Sequence, residues 1–277
     1  MIERITNQLA ILGHPQRILV FRMLIRRFPD SVPAGELADE LDLKASTLSN
    51  YLNALQRSGL VKQERSGTSL LYSVEMNNVQ QMLDYLIVDC CRGRPDICMP
   101  FAQGSETVKN RKFNVLFLCV GNSARSIFAE SLLRQLGGDR FNVYSAGTQP
   151  TSQLNPFALQ VLSDKGHDTS ILRSKHMSEF AAPDAPEMDF VFTVCNQAAN
   201  EECPAWEGQP ISGHWGMPDP VNATGTDAEK SLAFQNAYGA LKRRIEAFTS
   251  LPVESLDGIA LQSAVDDIGR TPTEDIK

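Results

Sequence analysis

The stretch Asn114-Val-Leu-Phe-Leu-Cys119-Val-Gly-Asn-Ser-Ala-Arg125-Ser126 decides how half of this chain is read. Residues 114–119 are an apolar run, the pattern of a strand buried on both faces. Residues from Ser126 to Leu136 then take helical spacing. A short turn between a buried strand and a helix gathers backbone N–H groups and a helix N-terminus around one point, which suits a tetrahedral oxyanion. Val120, Gly121, Asn122, Ser123, Ala124 and Arg125 are the candidate anion-binding residues, the last as a bidentate guanidinium. The same positive surroundings favour a thiolate, so Cys119 reads as a nucleophile. Gly121 and Asn122 tolerate the left-handed backbone that a tight cradle requires.

Downstream the pattern continues as strands alternating with helices: a strand over 141–145, a helix over 156–165, a strand over 189–194 and a long helix over 228–248. That alternation predicts an α/β domain over 112–250, three layers with a parallel sheet covered by helices on both faces. Residues 251–277 read as one more amphipathic helix and a tail. Upstream, residues 100–111 are polar and aperiodic and read as a linker. Residues 1–99 read as four helices, a hairpin and a last helix over 77–91, a mainly α arrangement. In that half, Leu48, Leu52 and Leu55 set an apolar helix face opposite Ser46, Thr47, Ser49, Asn50 and Asn53. Two β-rich runs flank Ser66-Gly67-Thr68. Val79, Met82, Leu83, Leu86, Ile87 and Cys90 share one side of the last helix.

The chain has 277 residues, 42% apolar and 21% charged, enough for two domains with their own cores. No apolar run nears the roughly 20 residues of a membrane-spanning helix. The polar, early-acidic N-terminus does not read as a secretory signal, so the cytoplasm is the default location. Net charge is +1 over residues 1–111 and −8 over 112–277, within an overall −7. This excludes a general nucleic-acid binder and leaves room for one local DNA-binding surface on the neutral half. The six cysteines fall as Cys90, Cys91 and Cys98; Cys119; and Cys195 and Cys203. In a reducing compartment such clusters suggest metal binding or redox catalysis more than structural disulfides.

On Val115–Cys119, the Cys-x5-Arg-Ser loop, Ser145-Ala-Gly-Thr148 and Asp219-Pro220, residues 113–250 resemble the low-molecular-weight phosphotyrosine phosphatase superfamily, which includes arsenate reductases. The resemblance implies that Cys119, Arg125 and Ser126 carry the chemistry on an arsenate or phosphate oxyanion and that Asp219 protonates the leaving group. Cys195-Asn-Gln-Ala-Ala-Asn-Glu-Glu-Cys203-Pro204 resembles the segment that holds the second and third redox cysteines of arsenate reductases. Val221-Asn222 stands where phosphotyrosine phosphatases usually carry aromatic residues. Both features favour arsenate over a phosphoprotein. The two later cysteines are one residue further apart than in the best-known thioredoxin-coupled enzymes, and a disulfide requires Cα atoms within about 7 Å. The implied reductant is thioredoxin, or glutathione or mycothiol with a glutaredoxin; ordinary core or loop cysteines are the alternative reading of Cys195 and Cys203. No tightly bound cofactor is expected. Asn122, Glu130 and Ser145 match positions that hold a potassium ion in some relatives, and a purely structural role is the equal alternative.

The N-terminal half resembles a winged helix-turn-helix, and within it the ArsR/SmtB repressors, on Leu12–Arg17, Gly35–Ala38 and Ser46–Leu55. The resemblance implies a homodimer on operator DNA, paired through its first and last helices, with Ser46, Thr47, Ser49 and Asn50 on the recognition helix and Lys62, Arg65 and Thr68 on the wing. Cys90, Cys91 and Cys98 are then a three-thiolate set for As(III) or Sb(III), since soft ions prefer sulfur; a zinc or redox site, or inert cysteines, are the alternatives. His14 is the only histidine before residue 111. The His/carboxylate sites of zinc-sensing relatives therefore cannot be built at the last helix. A fusion of arsenite-responsive repressor and arsenate reductase is the reading that joins both halves. A tyrosine phosphatase tethered to a redox- or metal-responsive DNA-binding regulator, and a pure regulator whose second half only binds oxyanions, are its competitors.

Overall fold

The computed structural model describes residues 2–90, 111–182, 184–201, 206 and 210–271. The chain forms two compact units, residues 1–105 and 106–277.

In the first unit α1 (Ile2–Leu12) is followed by α2 (Pro15–Arg26). Pro15 occupies a position where its missing N–H costs nothing, and His14 caps the helix by accepting from the Gln16 N–H at 3.2 Å. The two-residue strand β1 (Val32–Pro33), α3 (Ala34–Glu40) and α4 (Ala45–Arg57) come next. Asp42 makes the turn between α3 and α4 at φ 48°. The hairpin β2 (Val61–Ser66) and β3 (Ser69–Val74) turns on Gly67 at φ 59°, and β1 adds to it in the antiparallel order β1-β3-β2. Leu48, Leu52 and Leu55 of α4 are buried with Leu24, Leu37 and Val74.

The last helix differs from its sequence reading. α5 spans Met76–Asp84, and residues 85–90 continue as a π-helical turn. Val79 and Met82 are buried, but Leu83, Ile87, Val88 and Cys90 are exposed. The π turn takes up residues 85–90 of the helix expected over 77–91, whereas exposed Leu83 lies before it in α5.

The second unit is an α/β fold on a four-stranded sheet of β4 (Phe113–Cys119), β5 (Phe141–Gly147), β6 (Phe190–Thr193) and β7 (Ile211–His214), parallel throughout, in the order β5-β4-β6-β7. Its helices are α6 (Arg125–Leu136), α7 (Pro156–Asp164), the short α8 (Asn196–Asn200), α9 (Asp227–Thr249) and α10 (Gly258–Gly269). Alternation along β4 sends Val115, Phe117 and Cys119 into the larger core with Phe128, Leu132, Leu241 and Phe248. Leu116 and Leu118 point into a smaller cluster with Ala146, Met188 and Val191.

Strand β7 has no counterpart in the sequence reading, because Ile-Ser-Gly-His is too short and polar to carry a strand pattern. It exists through pairing with β6 and through α10, which packs Leu261, Val265 and Ile268 into the larger core. At Gly213 a Cβ would lie 2.7 Å from Val265 Cγ1 and 2.9 Å from Phe192 Cδ1, so only glycine lets the helix approach. Residues 258–269 therefore complete this unit. Among the described residues no helix is long and apolar enough to cross a membrane.

Candidate active site

Strand β4, interior to the sheet, ends at Cys119, and after five intervening residues Arg125 opens α6. Neighbouring segments pull the loop's carbonyls outward. Cys119 O accepts from Thr148 N at 3.1 Å, Val120 O from Gln149 N at 3.0 Å, Gly121 O from Thr151 N at 2.9 Å and Ser123 O from Asn155 N at 3.0 Å. In a trans peptide the next N–H points the opposite way, so the amides turn inward. The Asn122 N–H reaches Cys119 Sγ at 3.2 Å. Of the two residues expected to use left-handed backbone, Asn122 does so at φ 43°. Gly121 does not; one such residue suffices for this turn. The strict glycine is Gly147 on β5, where a Cβ would sit 2.3 Å from Val120 O.

Side chains fix the loop from behind. Asn122 Nδ2 donates to Ser126 Oγ and to Ser145 Oγ, each at 2.8 Å, and its Oδ1 accepts from Lys175 N at 2.7 Å. With Asn122 donating to Ser126 Oγ, the serine hydroxyl is free to donate to Cys119 Sγ, 2.9 Å away. Two donors thus converge on the sulfur, the arrangement that serves an anion. The potassium-type positions Asn122, Glu130 and Ser145 are linked through Ser145 Oγ, which accepts from Asn122 Nδ2 and donates to Glu130 Oε2, and Glu130 pairs with the ammonium of Lys175. Lys175 Nζ donates to Glu130 Oε2 and to Arg173 O, both at 3.1 Å, while Arg134 holds Glu130 Oε1 at 2.7 Å. Lys175 is absent from the sequence reading; a lone lysine in a polar loop carries no signal of burial.

Arg125 is 9% exposed. Its Nη2 donates to Asp219 Oδ2 at 2.5 Å and its Nη1 to Met217 O at 3.3 Å. Asp219 caps a 3-10 turn by accepting from Val221 N at 3.1 Å, which fixes the carboxylate toward the loop. Residues 94 apart in sequence thereby share one mouth.

Cys195 lies between β6 and α8, 2% exposed, with its sulfur accepting from Ala198 N at 3.4 Å. Burial pushes this thiol up to about 11; the Arg125 charge draws it down, the Cys119 charge adds to the rise, and the Val120 N–H lowers it. Cys195 is thus in electrostatic contact with the loop, although 76 residues separate it from Cys119. The parallel pairing of Leu118 with Thr193 brings them together. Both are free thiols. Cys203 lies outside the described residues.

In the first unit Ser46, Ser49 and Asn50 are exposed on α4 and Thr47 is half-buried, opposite the buried leucines. Lys62, Arg65 and Thr68 are exposed on the hairpin, Lys62 3.4 Å from Glu64 and Arg65 Nε donating to Gly67 O at 3.3 Å. Cys90 is exposed at the end of the π turn. Cys91 and Cys98, with residues 100–110 of the expected linker, lie outside the described residues.

A helix-turn-helix domain model matches residues 12–64. An arsenate reductase of Bacillus licheniformis is 38% identical over 138 residues, 50% of this chain and 95% of the relative. One of Bacillus subtilis is 37% identical over 134 residues, 48% of this chain and 93% of the relative. A solved arsenate reductase in the phosphate-binding state is 28% identical, with a TM-score of 0.42, covering 50% of this chain and 97% of that one. The family model of the low molecular weight phosphotyrosine protein phosphatases matches residues 114–257, the span that holds the Cys119 loop, Cys195 and Asp219, and the chain belongs to that family.

Proposed function

We propose that this protein is an arsenate reductase fused to an arsenite-responsive DNA-binding repressor. The observation that carries the reading is Cys195, a buried second thiol just past β6, the strand paired with the one that ends at Cys119. Hydrolysis of a phosphate ester requires the loop and an acid; it has no use for that thiol.

In the proposed reaction the loop amides and Arg125 bind arsenate. The Cys119 thiolate attacks arsenic, and Asp219 donates a proton to the oxygen that departs as water. Cys195, deprotonated, then attacks the Cys119 sulfur. The sulfur–arsenic bond breaks with its electron pair left on arsenic, so two thiols become one disulfide and arsenate becomes arsenite. Cys203 passes the disulfide on, and an external thiol reductant, thioredoxin or glutathione/mycothiol with a glutaredoxin, restores the enzyme.

The first unit would bind operator DNA as a homodimer in the cytoplasm. The α4 face with Ser46, Thr47, Ser49 and Asn50 would lie in the major groove, with Lys62, Arg65 and Thr68 of the hairpin on the backbone. Exposed Leu83, Ile87 and Val88 on the last helix support a second chain as their cover. Cys90, Cys91 and Cys98 would take As(III) or Sb(III), so that the enzyme's product releases the repressor.

The deciding experiment assays one preparation for arsenate turnover, with thioredoxin and with glutathione/glutaredoxin, and for hydrolysis of an aryl phosphate. Cys119→Ser should abolish both, and Cys195→Ser should abolish arsenate reduction alone. Arsenate turnover that survives Cys195→Ser removes the relay. Phosphatase activity without any arsenate turnover selects a phosphatase tethered to a regulator, and neither activity selects an anion-binding regulator. Operator binding should be lost on adding arsenite and retained when Cys90, Cys91 and Cys98 are all serine.

A further inference from the structure

We propose that His214 is the positioning residue for Cys195, a role that rests on the reading of Cys195 as the resolving thiol. His214 ends β7 and is 2% exposed. Its Nδ1 lies 2.8 Å from Thr193 Oγ1 and its Nε2 3.2 Å from Asn196 Oδ1. An amide oxygen only accepts, so Nε2 donates to Asn196, and Nδ1 shares the second hydrogen bond with the threonine hydroxyl. One imidazole thus ties the residue two before Cys195 to the residue directly after it.

The surroundings hold the clamp in place. Trp215 N donates to Thr193 O at 2.8 Å, continuing the β6–β7 pairing past His214. At Gly216 a Cβ would lie 2.6 Å from both Asn196 Oδ1 and His214 Nε2, so the backbone there closes directly over the pair. Arg244, buried in α9, donates to Trp215 O at 2.7 Å and Gly216 O at 3.1 Å. By contrast, among the described residues the sulfur of Cys195 is held by backbone amides, one of them at 3.4 Å. Where that sulfur sits relative to Cys119 is therefore set by the main chain at 193–196, and His214 sets that main chain.

The step served is the attack of Cys195 on the Cys119 sulfur, where sub-ångström placement governs rate. His214→Phe keeps the ring and removes both hydrogen bonds. It should lower arsenate kcat at least tenfold with KM for arsenate unchanged, and leave aryl phosphate kcat/KM within twofold. Thr193→Val, which keeps the side-chain shape, should lower arsenate kcat by about threefold, and His214→Gln should recover part of the loss; Thr193→Val decides the matter if His214→Phe does not fold. A second readout needs no arsenate. Diamide takes two hydrogens from a pair of thiols, and peptide mapping follows the Cys119–Cys195 disulfide so formed. Slower cross-linking in His214→Phe supports the clamp. Equal cross-linking, or parallel loss of both activities, overturns it. Failure of wild-type protein to reduce arsenate overturns the reductase reading and leaves the cross-linking result to judge His214.

Discussion

Replacing Lys175 by methionine should unseat the loop that carries Cys119. Lys175 and Glu130 have side chains only 8% and 3% exposed and pair at 3.1 Å beneath Asn122 and Ser145. Removing one partner of a buried pair typically costs 3–5 kcal/mol, because the remaining charge is stranded away from water. Here Arg134, itself 39% exposed, still holds the other carboxylate oxygen, and Ser145 still donates to the first. We therefore expect about 2–3 kcal/mol. Glu130→Gln added to Lys175→Met should restore about half of that, since the stranded charge is gone. Urea unfolding of the single and double variants measures the stability change. Aryl phosphate hydrolysis at a urea concentration where all variants stay folded measures the loop, and Lys175→Met should slow it. A cost below about 1 kcal/mol would place the pair among weakly coupled surface pairs. Strictly additive effects in the double variant would also refute the reasoning.

Three further outcomes follow from the geometry. In Cys119→Ser, where the neighbouring thiolate is absent, Cys195 should alkylate with iodoacetamide faster than in wild-type protein at the same pH. Both rates should climb about tenfold per pH unit from pH 7 to 10, as a thiol held near 11 requires; a plateau below pH 9, read by peptide mass spectrometry, would contradict it. His167 sits between Ser131 and Tyr238 at 3.0 and 2.7 Å, and burial lowers its pKa. The unfolded chain therefore takes up a proton at about 6.5 that the folded chain refuses, so stability should fall as pH drops below that value. His167→Gln should flatten this decline in denaturant titrations between pH 7 and 5. Asp219→Asn should slow aryl phosphates with poor leaving groups by 10²–10⁴-fold and activated ones far less; equal slowing of both would remove its role as acid.

Much of the local architecture was readable in the linear chain. The apolar run ahead of Cys119, the proline and histidine at the start of α2 and the leucine stripe of α4 act within one or two turns of backbone. Periodicity and capping report such structure directly. The same logic did not foresee the π turn at residues 85–90, which ends the regular helix of α5, nor the strand at 211–214, where four residues become a strand only because β6 and α10 flank them.

A buried strand ending at Cys119 and a tight turn into the helix near Arg125 were both legible from residue order alone. Both properties belong to a contiguous segment. Folding in three dimensions was needed to bring Cys195 to that turn, Asp219 to Arg125, Lys175 to Glu130 and His214 across the residues that flank Cys195. Each of these contacts joins residues whose separation in the chain says nothing of their distance in space. Parallel strand register fixes the first and the last, because shifting β6 by one residue against β4 would turn Cys195 to the opposite face of the sheet.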